Sequence, residues 1–273
     1  MHSCDVFFYQ LAHSVGIDRM HSFLTKFGLG KKTGVDLPSE PDGLVPSKAW
    51  KKRVRKTVWY PGETVIAGIG QGYMLTTPIQ LAAVTATLAN RGLRVPPRVV
   101  KKIDSSTILE AQLITPAIDA EHLDGSSKKQ MEMVVEAMRQ VVHSPKGTAR
   151  GIARDLTYQI AGKTGTAQVV GIPQGAKYDA EKLEEFKRDH SLFVGFAPVD
   201  APEIALSVIV ENGGSGSKTA APIARKTMDF YLQSAESVDG EKAADSTFSE
   251  SNVPSDLHDM ALLGDEFSVM VSE

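Results

Sequence analysis

Four consecutive residues, Lys163-Thr164-Gly165-Thr166, could do chemistry together. A lysine ammonium beside a threonine hydroxyl can grip a carboxylate from one side. Gly165 would let a substrate backbone lie close against the chain. The β-formers Tyr158 and Ile160 precede the set and Val169-Val170 follow it, so the sequence predicts a strand here. On a sheet edge, such a strand can pair with an extended peptide and offer an N–H to a developing oxyanion. An ordinary strand with a surface lysine and a bulge glycine is the competing reading. The chain holds its own control: Lys32-Thr33-Gly34 repeats the tripeptide between glycines and Val35-Asp36-Leu37-Pro38, which is turn chemistry. The strand context, rather than the tripeptide, carries the signal.

A second set, Ser3-Cys4-Asp5, stands just before an apolar run. Ser and Asp there suit a helix N-cap. Alternatively, the serine hydroxyl and the carboxylate project from the helix start into a site, where the hydroxyl can relay a proton to a leaving amine. A third set, Gly68-Ile69-Gly70-Gln71-Gly72 before Thr77-Pro78-Ile79-Gln80, fails as a phosphate loop. Tyr73 stands where a third glycine belongs, and no Lys-Ser or Lys-Thr follows. It reads as a tight turn feeding a helix. The seven histidines are scattered without ligand spacing, and His2 with Cys4 would not close a metal site.

These sets need elements to hold them. Residues 6–12 read as a helix apolar nearly all round, which predicts burial. Residues 17–27 read as a second helix ended by Gly28 and Gly30. Residues 33–65 read as a long irregular stretch, packed through Trp50, Trp59 and Tyr60. A strong helix follows Pro78 and ends at Asn90-Arg91-Gly92. Short strands are expected over 94–115. Ser126 opens an amphipathic helix to residue 142, with Met131, Val134, Val135, Met138 and Val141 at helical spacing. Gly147-Thr148-Ala149 breaks it. Strands are expected at 158–170, 191–197 and 204–210, the last two joined through Pro198-Val199-Asp200-Ala201-Pro202, then a closing helix over 222–232. The fold class is α+β, an antiparallel sheet flanked by helices.

Composition is that of a globular chain, with no apolar run long enough for a membrane helix and no signal peptide at the start. One cysteine excludes an internal disulfide. From Ser234 onward there are ten acids and one lysine, a net of −9. The whole chain is −3, so residues 1–233 carry about +6 by difference. Residues 234–273 read as an acidic disordered tail after a domain over 1–233. The positive body would suit an anionic polymer, although a solvated surface also explains it.

The ordered set resembles the transpeptidase domain of class B penicillin-binding proteins. The resemblance is carried by Ser3-Cys4-Asp5-Val6-Phe7-Phe8-Tyr9-Gln10, Phe27-Gly28-Leu29-Gly30 with Thr33-Gly34-Val35-Asp36-Leu37-Pro38, and Gly68-Ile69-Gly70-Gln71-Gly72 with Thr77-Pro78-Ile79-Gln80. It continues through Asn90-Arg91-Gly92, Gly147-Thr148-Ala149, residues 161–168, Phe196-Ala197-Pro198 and Glu211-Asn212-Gly213-Gly214. The Ser-Cys-Asp triplet and Arg188-Asp189-His190 look most like the cell-elongation subgroup.

The resemblance implies a peptidoglycan D,D-transpeptidase acting through an acyl-enzyme during elongation and shape maintenance. Ser3, Asp5 and Lys163 would be catalytic. Lys163, Thr164, Gly165 and Thr166 would hold the carboxylate of a stem peptide or a β-lactam, with the Thr166 N–H in the oxyanion hole. Asp5 stands where the family usually has Asn, and an ionised Asp cannot donate a hydrogen bond as an amide can. No cofactor is implied as required, but some relatives look to hold zinc near this motif, which makes Cys4 a candidate ligand with partners upstream. Stem peptides, β-lactams, a membrane glycosyltransferase and elongation-complex proteins are the implied partners, with no nucleic acid. The implied location is the periplasmic face of the inner membrane.

The family's nucleophile belongs to a Ser-x-x-Lys motif upstream of Ser3. The chain has only Ser126-x-x-Lys129, after the second motif in chain order, and Ser215-x-x-Lys218 in a glycine loop. The expectation is therefore an N-terminally truncated transpeptidase domain without its nucleophile. A catalytically inactive remnant and a serine β-lactamase or sensor relative are the alternatives.

Overall fold

The computed structural model describes residues 3–100, 120–123, 127–171 and 183–240, with side chains to Gln233. In chain order the elements are α1 (Asp5–Val15), α2 (Ile17–Leu24), α3 (Lys48–Val54), α4 (Pro61–Ala67) and α5 (Pro78–Ala89). A two-residue pair follows, β1 (Leu93–Arg94) with β2 (Glu121–His122), and then α6 (Lys128–His143). The last part holds β3 (Ala161–Ala167), β4 (His190–Ala197), β5 (Ile204–Val210) and α7 (Ala220–Gly240). The chain divides into two units, Met1–Leu232 and Gln233–Glu273.

The sheet is antiparallel in the order β3-β4-β5, so among the described residues β3 has a paired side and a free side. Its register sets Lys163 opposite Val194, Thr164 opposite Phe193 and Thr166 opposite Ser191. Alternation sends neighbouring side chains of β4 to opposite faces. Phe193 is buried with Ile160, Ala220, Ala224 and Met228, under α7. Phe196 is buried with Ala161, Ala89, Val135 and Met138, under α5 and α6. Each ring contributes about 1.5–3 kcal/mol by leaving water, so the two faces hold β4 between helices. On the back, Tyr158 donates to Asp229 of α7 at 2.6 Å, and Arg225 holds the same carboxylate at 2.7 Å.

The predicted elements mostly stand. β5 matches the expected span, and β4 begins one residue earlier at His190. β3 is shorter than the expected 158–170, because Ile160 is buried in the core and gives its N–H to the His143 imidazole at 3.0 Å instead of to a strand. α6 is capped by Ser127, not Ser126: Ser127 Oγ accepts from the Gln130 N–H at 3.2 Å. Of the expected apolar face, Met131, Val135, Met138 and Val141 are buried, but Val134 is exposed. α7 runs to Gly240, past the expected end at 232. Most of the expected strand region at 94–115 and residues 241–273 lie outside the described residues.

Two expectations are corrected. α1 is not buried: Val6, Phe7, Phe8 and Leu11 are exposed, and only Ala12 is buried. The helix packs on one side only, against α2 and α4, so an all-round apolar surface finds no all-round partner. Its seat is Gly68, where a Cβ would stand 2.3 Å from the Ala12 Cβ. Residues 33–65 are not irregular throughout, since they contain α3 and the start of α4. Those helices are seven residues each, too short to show a periodicity beneath Pro, Gly and charge. Trp50 and Trp59 do pack, with ring centroids 5.2 and 6.2 Å from that of Tyr73.

Candidate active site

α1 and β3 meet at the site. Lys163 Nζ donates to Ser3 Oγ at 2.8 Å, joining residues 160 apart in sequence. It also donates to the Thr164 carbonyl at 2.7 Å. Ser3 does not act as a cap: the N-cap of α1 is Cys4, with no side-chain cap bond. Ser3 instead sits at φ 46°, an unusual conformation for a residue with a Cβ. Of the two readings of this triplet, the geometry matches the one in which the hydroxyl projects into a site.

Burial pushes the Lys163 ammonium below its ordinary value of 10.5, and the Asp5 charge pulls it part of the way back. A lysine shifted down in this way exchanges protons more readily. Because Ser3 Oγ accepts from Lys163, its own proton is free to go to a third group.

Thr164 is held from behind. Its Oγ1 lies 3.1 Å from Thr148 Oγ1. The segment after α6 folds back over the helix end, with Ala149 N–H bonded to the Val141 carbonyl at 3.0 Å, and this places Thr148. Gln71 closes the far end: its Nε2 donates to the Thr166 carbonyl at 3.2 Å. The Gly70–Gly72 turn, with φ 80° and 71° at its two glycines, presents that amide. Neither Thr148 nor Gln71 was expected at the site. In sequence they stand in a helix breaker and a turn, both within segments that carry the family resemblance but neither given a role there.

Gly165 has a backing as well as an open side. Gly216 passes so close that a Cβ there would lie 2.4 Å from the Gly165 carbonyl and 2.5 Å from that of Leu192. Buried Ser191 fixes this loop, donating to the Ser215 carbonyl at 3.1 Å and accepting from the Ala220 N–H at 3.0 Å. The control tripeptide behaves as its context predicts. Thr33 gives both its N–H and its hydroxyl to Glu40 at 2.6 Å, and Lys32-Thr33-Gly34 forms no strand.

Of the two internal Ser-x-x-Lys sets, only Ser215 with Lys218 is wholly described. Ser215 Oγ pairs with Ser217 Oγ at 3.0 Å. Ser126 lies outside the described residues. Cys4 is an exposed free thiol, and no group of three metal-ligating side chains occurs among the described residues. Cys4 alone would not hold zinc, and the other ligands that the resemblance implies would come from outside these residues.

A strand-borne lysine is thus bonded to a serine at a helix start, beside a threonine held from behind. The model of the penicillin binding protein transpeptidase domain matches residues 1–229. The chain belongs to that family. Its similarity runs to the penicillin-binding protein 2 type. It is 48% identical over 231 residues to the peptidoglycan D,D-transpeptidase MrdA of Acinetobacter baumannii, covering 84% of this chain and 33% of that protein. To the Escherichia coli K12 protein of the same name it is 37% identical over 232 residues, covering 84% and 36%. The crystal structure of Pseudomonas aeruginosa PBP2 in complex with WCK 5153 superposes with a TM-score of 0.70 at 46% identity, covering 84% of this chain and 47% of that one. The chain thus spans about a third of the length of the curated relatives it matches.

Proposed function

We propose that residues 3–233 form the substrate-holding wall of a peptidoglycan D,D-transpeptidase of the cell-elongation type. The observation that carries this is the bond from Lys163 Nζ to Ser3 Oγ. In the reaction, a serine attacks the carbonyl of the penultimate D-Ala of a stem peptide. The negative charge developing on that carbonyl oxygen is met by the Thr166 N–H. Lys163 and Thr164 hold the terminal carboxylate. Ser3, supported by Lys163, hands a proton to the departing D-Ala amine. An amine from a neighbouring stem peptide then attacks the acyl-enzyme ester, the serine oxygen departs, and the proton lost by the amine returns by the same route to that oxygen. Asp5 sustains the charge on Lys163. A β-lactam would acylate the same serine and stop there.

The attacking serine comes from a Ser-x-x-Lys segment outside these 273 residues. We place the whole protein at the periplasmic face of the inner membrane, working with a membrane glycosyltransferase and elongation proteins. The Helicobacter pylori protein with a TM-score of 0.70 to this chain is a PBP2 in complex with MreC, which supports partners of that kind. Among the described residues, no helix is long and apolar enough to cross a membrane.

Fluorescent penicillin tests the reading. The 273-residue chain should give no covalent band. The same reading frame extended upstream to a Ser-x-x-Lys should give one, lost with Lys163→Ala. A band on the chain alone that Ser126→Ala or Ser215→Ala abolishes would overturn the placement of the nucleophile. An extended, folded chain with no band would leave an inactive remnant as the better reading.

A further inference from the structure

From Gly43 to Gly62 the chain has six basic residues and no acid. One of them, Lys51, is buried and accounted for: it pairs with Glu63 and lies 4.7 Å from the Tyr60 ring centroid, 5.7 Å from that of Tyr73 and 5.8 Å from that of Trp59. The other five are exposed. Lys48 has a loose partner, Asp18, at 3.7 Å. Lys52, Arg53, Arg55 and Lys56 have no carboxylate partner among the described residues. They crown α3 and its end, with Tyr60 exposed beside them. Four uncompensated cations on less than two turns repel one another, and a solvated surface gains nothing from crowding them.

This ridge is built rather than loose. The Lys51–Glu63 pair ties α3 to α4, and Trp50 and Trp59 pack on Tyr73. Tyr73 is two residues from Gln71, whose amide holds the Thr166 carbonyl at the far end of β3. One rigid unit therefore carries the cations and reaches the site.

We propose that this ridge binds the carboxylates of stem peptides on a peptidoglycan strand, next to the strand being joined at β3. This rests on the transpeptidase reading above and adds a second contact for the same polymer. Arginine forks pair with carboxylates in a planar, two-pronged geometry, and the exposed Tyr60 face suits a sugar ring. A polymer that must thread past β3 repeatedly is held by several weak ionic contacts without being trapped.

The test uses the full 273-residue chain immobilised on a sensor, with soluble un-cross-linked peptidoglycan strands as analyte. Wild type should bind, and binding should weaken as salt rises. The variant Lys52→Gln/Arg53→Gln/Arg55→Gln/Lys56→Gln should bind about tenfold more weakly, with a flatter salt dependence. Arg53→Lys/Arg55→Lys keeps the charge but loses the forks, so it should bind about two- to threefold more weakly than wild type and clearly better than the glutamine variant. Strands stripped of their peptides by an amidase should not bind. Equal binding by wild type and the glutamine variant, or by intact and stripped strands, would overturn the proposal. So would ridge-dependent binding to phosphatidylglycerol vesicles with none to strands. Failure of the transpeptidase reading shows instead in penicillin labelling of the extended chain, which the ridge variant leaves intact.

Discussion

Gly216→Ala isolates what supports β3 from behind. The added methyl would meet the Gly165 carbonyl at 2.4 Å and the Leu192 carbonyl at 2.5 Å. Ordinary contact for such a carbon begins at about 3.4 Å, so the loop or the strand must move by about 1 Å. Both obstacles are backbone atoms of paired strands, and no rotamer change relieves them. Ser191 resists movement of the loop, since it ties both Ser215 and Ala220 to β4. Overpacking of this kind costs about 1–3 kcal/mol. For a folded unit of about 200 residues that lowers the melting midpoint by roughly 2–4 °C per kcal/mol, or about 2–12 °C in all. Thermal unfolding followed by Trp50 and Trp59 fluorescence at low protein concentration reads the shift. Gly151→Ala is the control, because among the described residues nothing lies within 4 Å of its added Cβ. An unchanged midpoint for Gly216→Ala would refute the idea that this loop is pressed against the substrate strand.

Other outcomes follow from the same geometry. Lys51→Met strands Glu63 with only the Tyr60 N–H as partner, at about 3 kcal/mol; this is the low end for a broken buried pair, because the Glu63 side chain is 23% exposed. Chemical denaturation measures the loss, and Lys51→Met/Glu63→Met should recover at least half of it. His143 Nε2 accepts from the Ile160 N–H at 3.0 Å, and burial, then Arg139, push its imidazole below the ordinary 6.5. Its contribution to stability is therefore full above about pH 6.5 and is lost as pH falls through the lower folded value. Urea midpoints between pH 7.5 and 5.5 should fall less for His143→Asn than for wild type, and equal slopes would count against this. Phe7→Ser/Phe8→Ser should raise the soluble, monomeric yield of the chain, because both rings are exposed on α1. Light scattering of the two preparations checks it.

Much of the sheet was legible because strands announce themselves locally. Phe193 and Phe196 alternate through the two faces, and Pro198 and Pro202 mark the turn. The strand character of Lys163 and the turn character of Lys32 were both readable from their neighbours. Burial was harder to read, since it depends on which element lies opposite. α1 has the composition of a core helix, yet it meets partners along one side only. Lys51 shows the reverse. It lies in a run of basic residues that reads as surface, and only the fold wraps it in Trp59, Tyr60 and Tyr73. Gln71 and Thr148 act through a carbonyl and a hydroxyl brought near by tertiary structure. No spacing in the sequence foretells that kind of partner.

The bond between Ser3 and Lys163 also has a consequence for folding order. It closes a loop of 160 residues. Closing a flexible loop of that length costs on the order of 4.5 kcal/mol in chain entropy. A hydrogen bond to a charged group returns less than that. The contact therefore cannot form early by itself; β3 must already be paired and α1 seated at Gly68. A nascent chain would complete α1 first and keep Ser3 waiting until the sheet arrives. The Ser3–Lys163 contact then becomes a late signal that β3 has paired and α1 has been seated, and a chain halted before β3 would leave Ser3 without this partner.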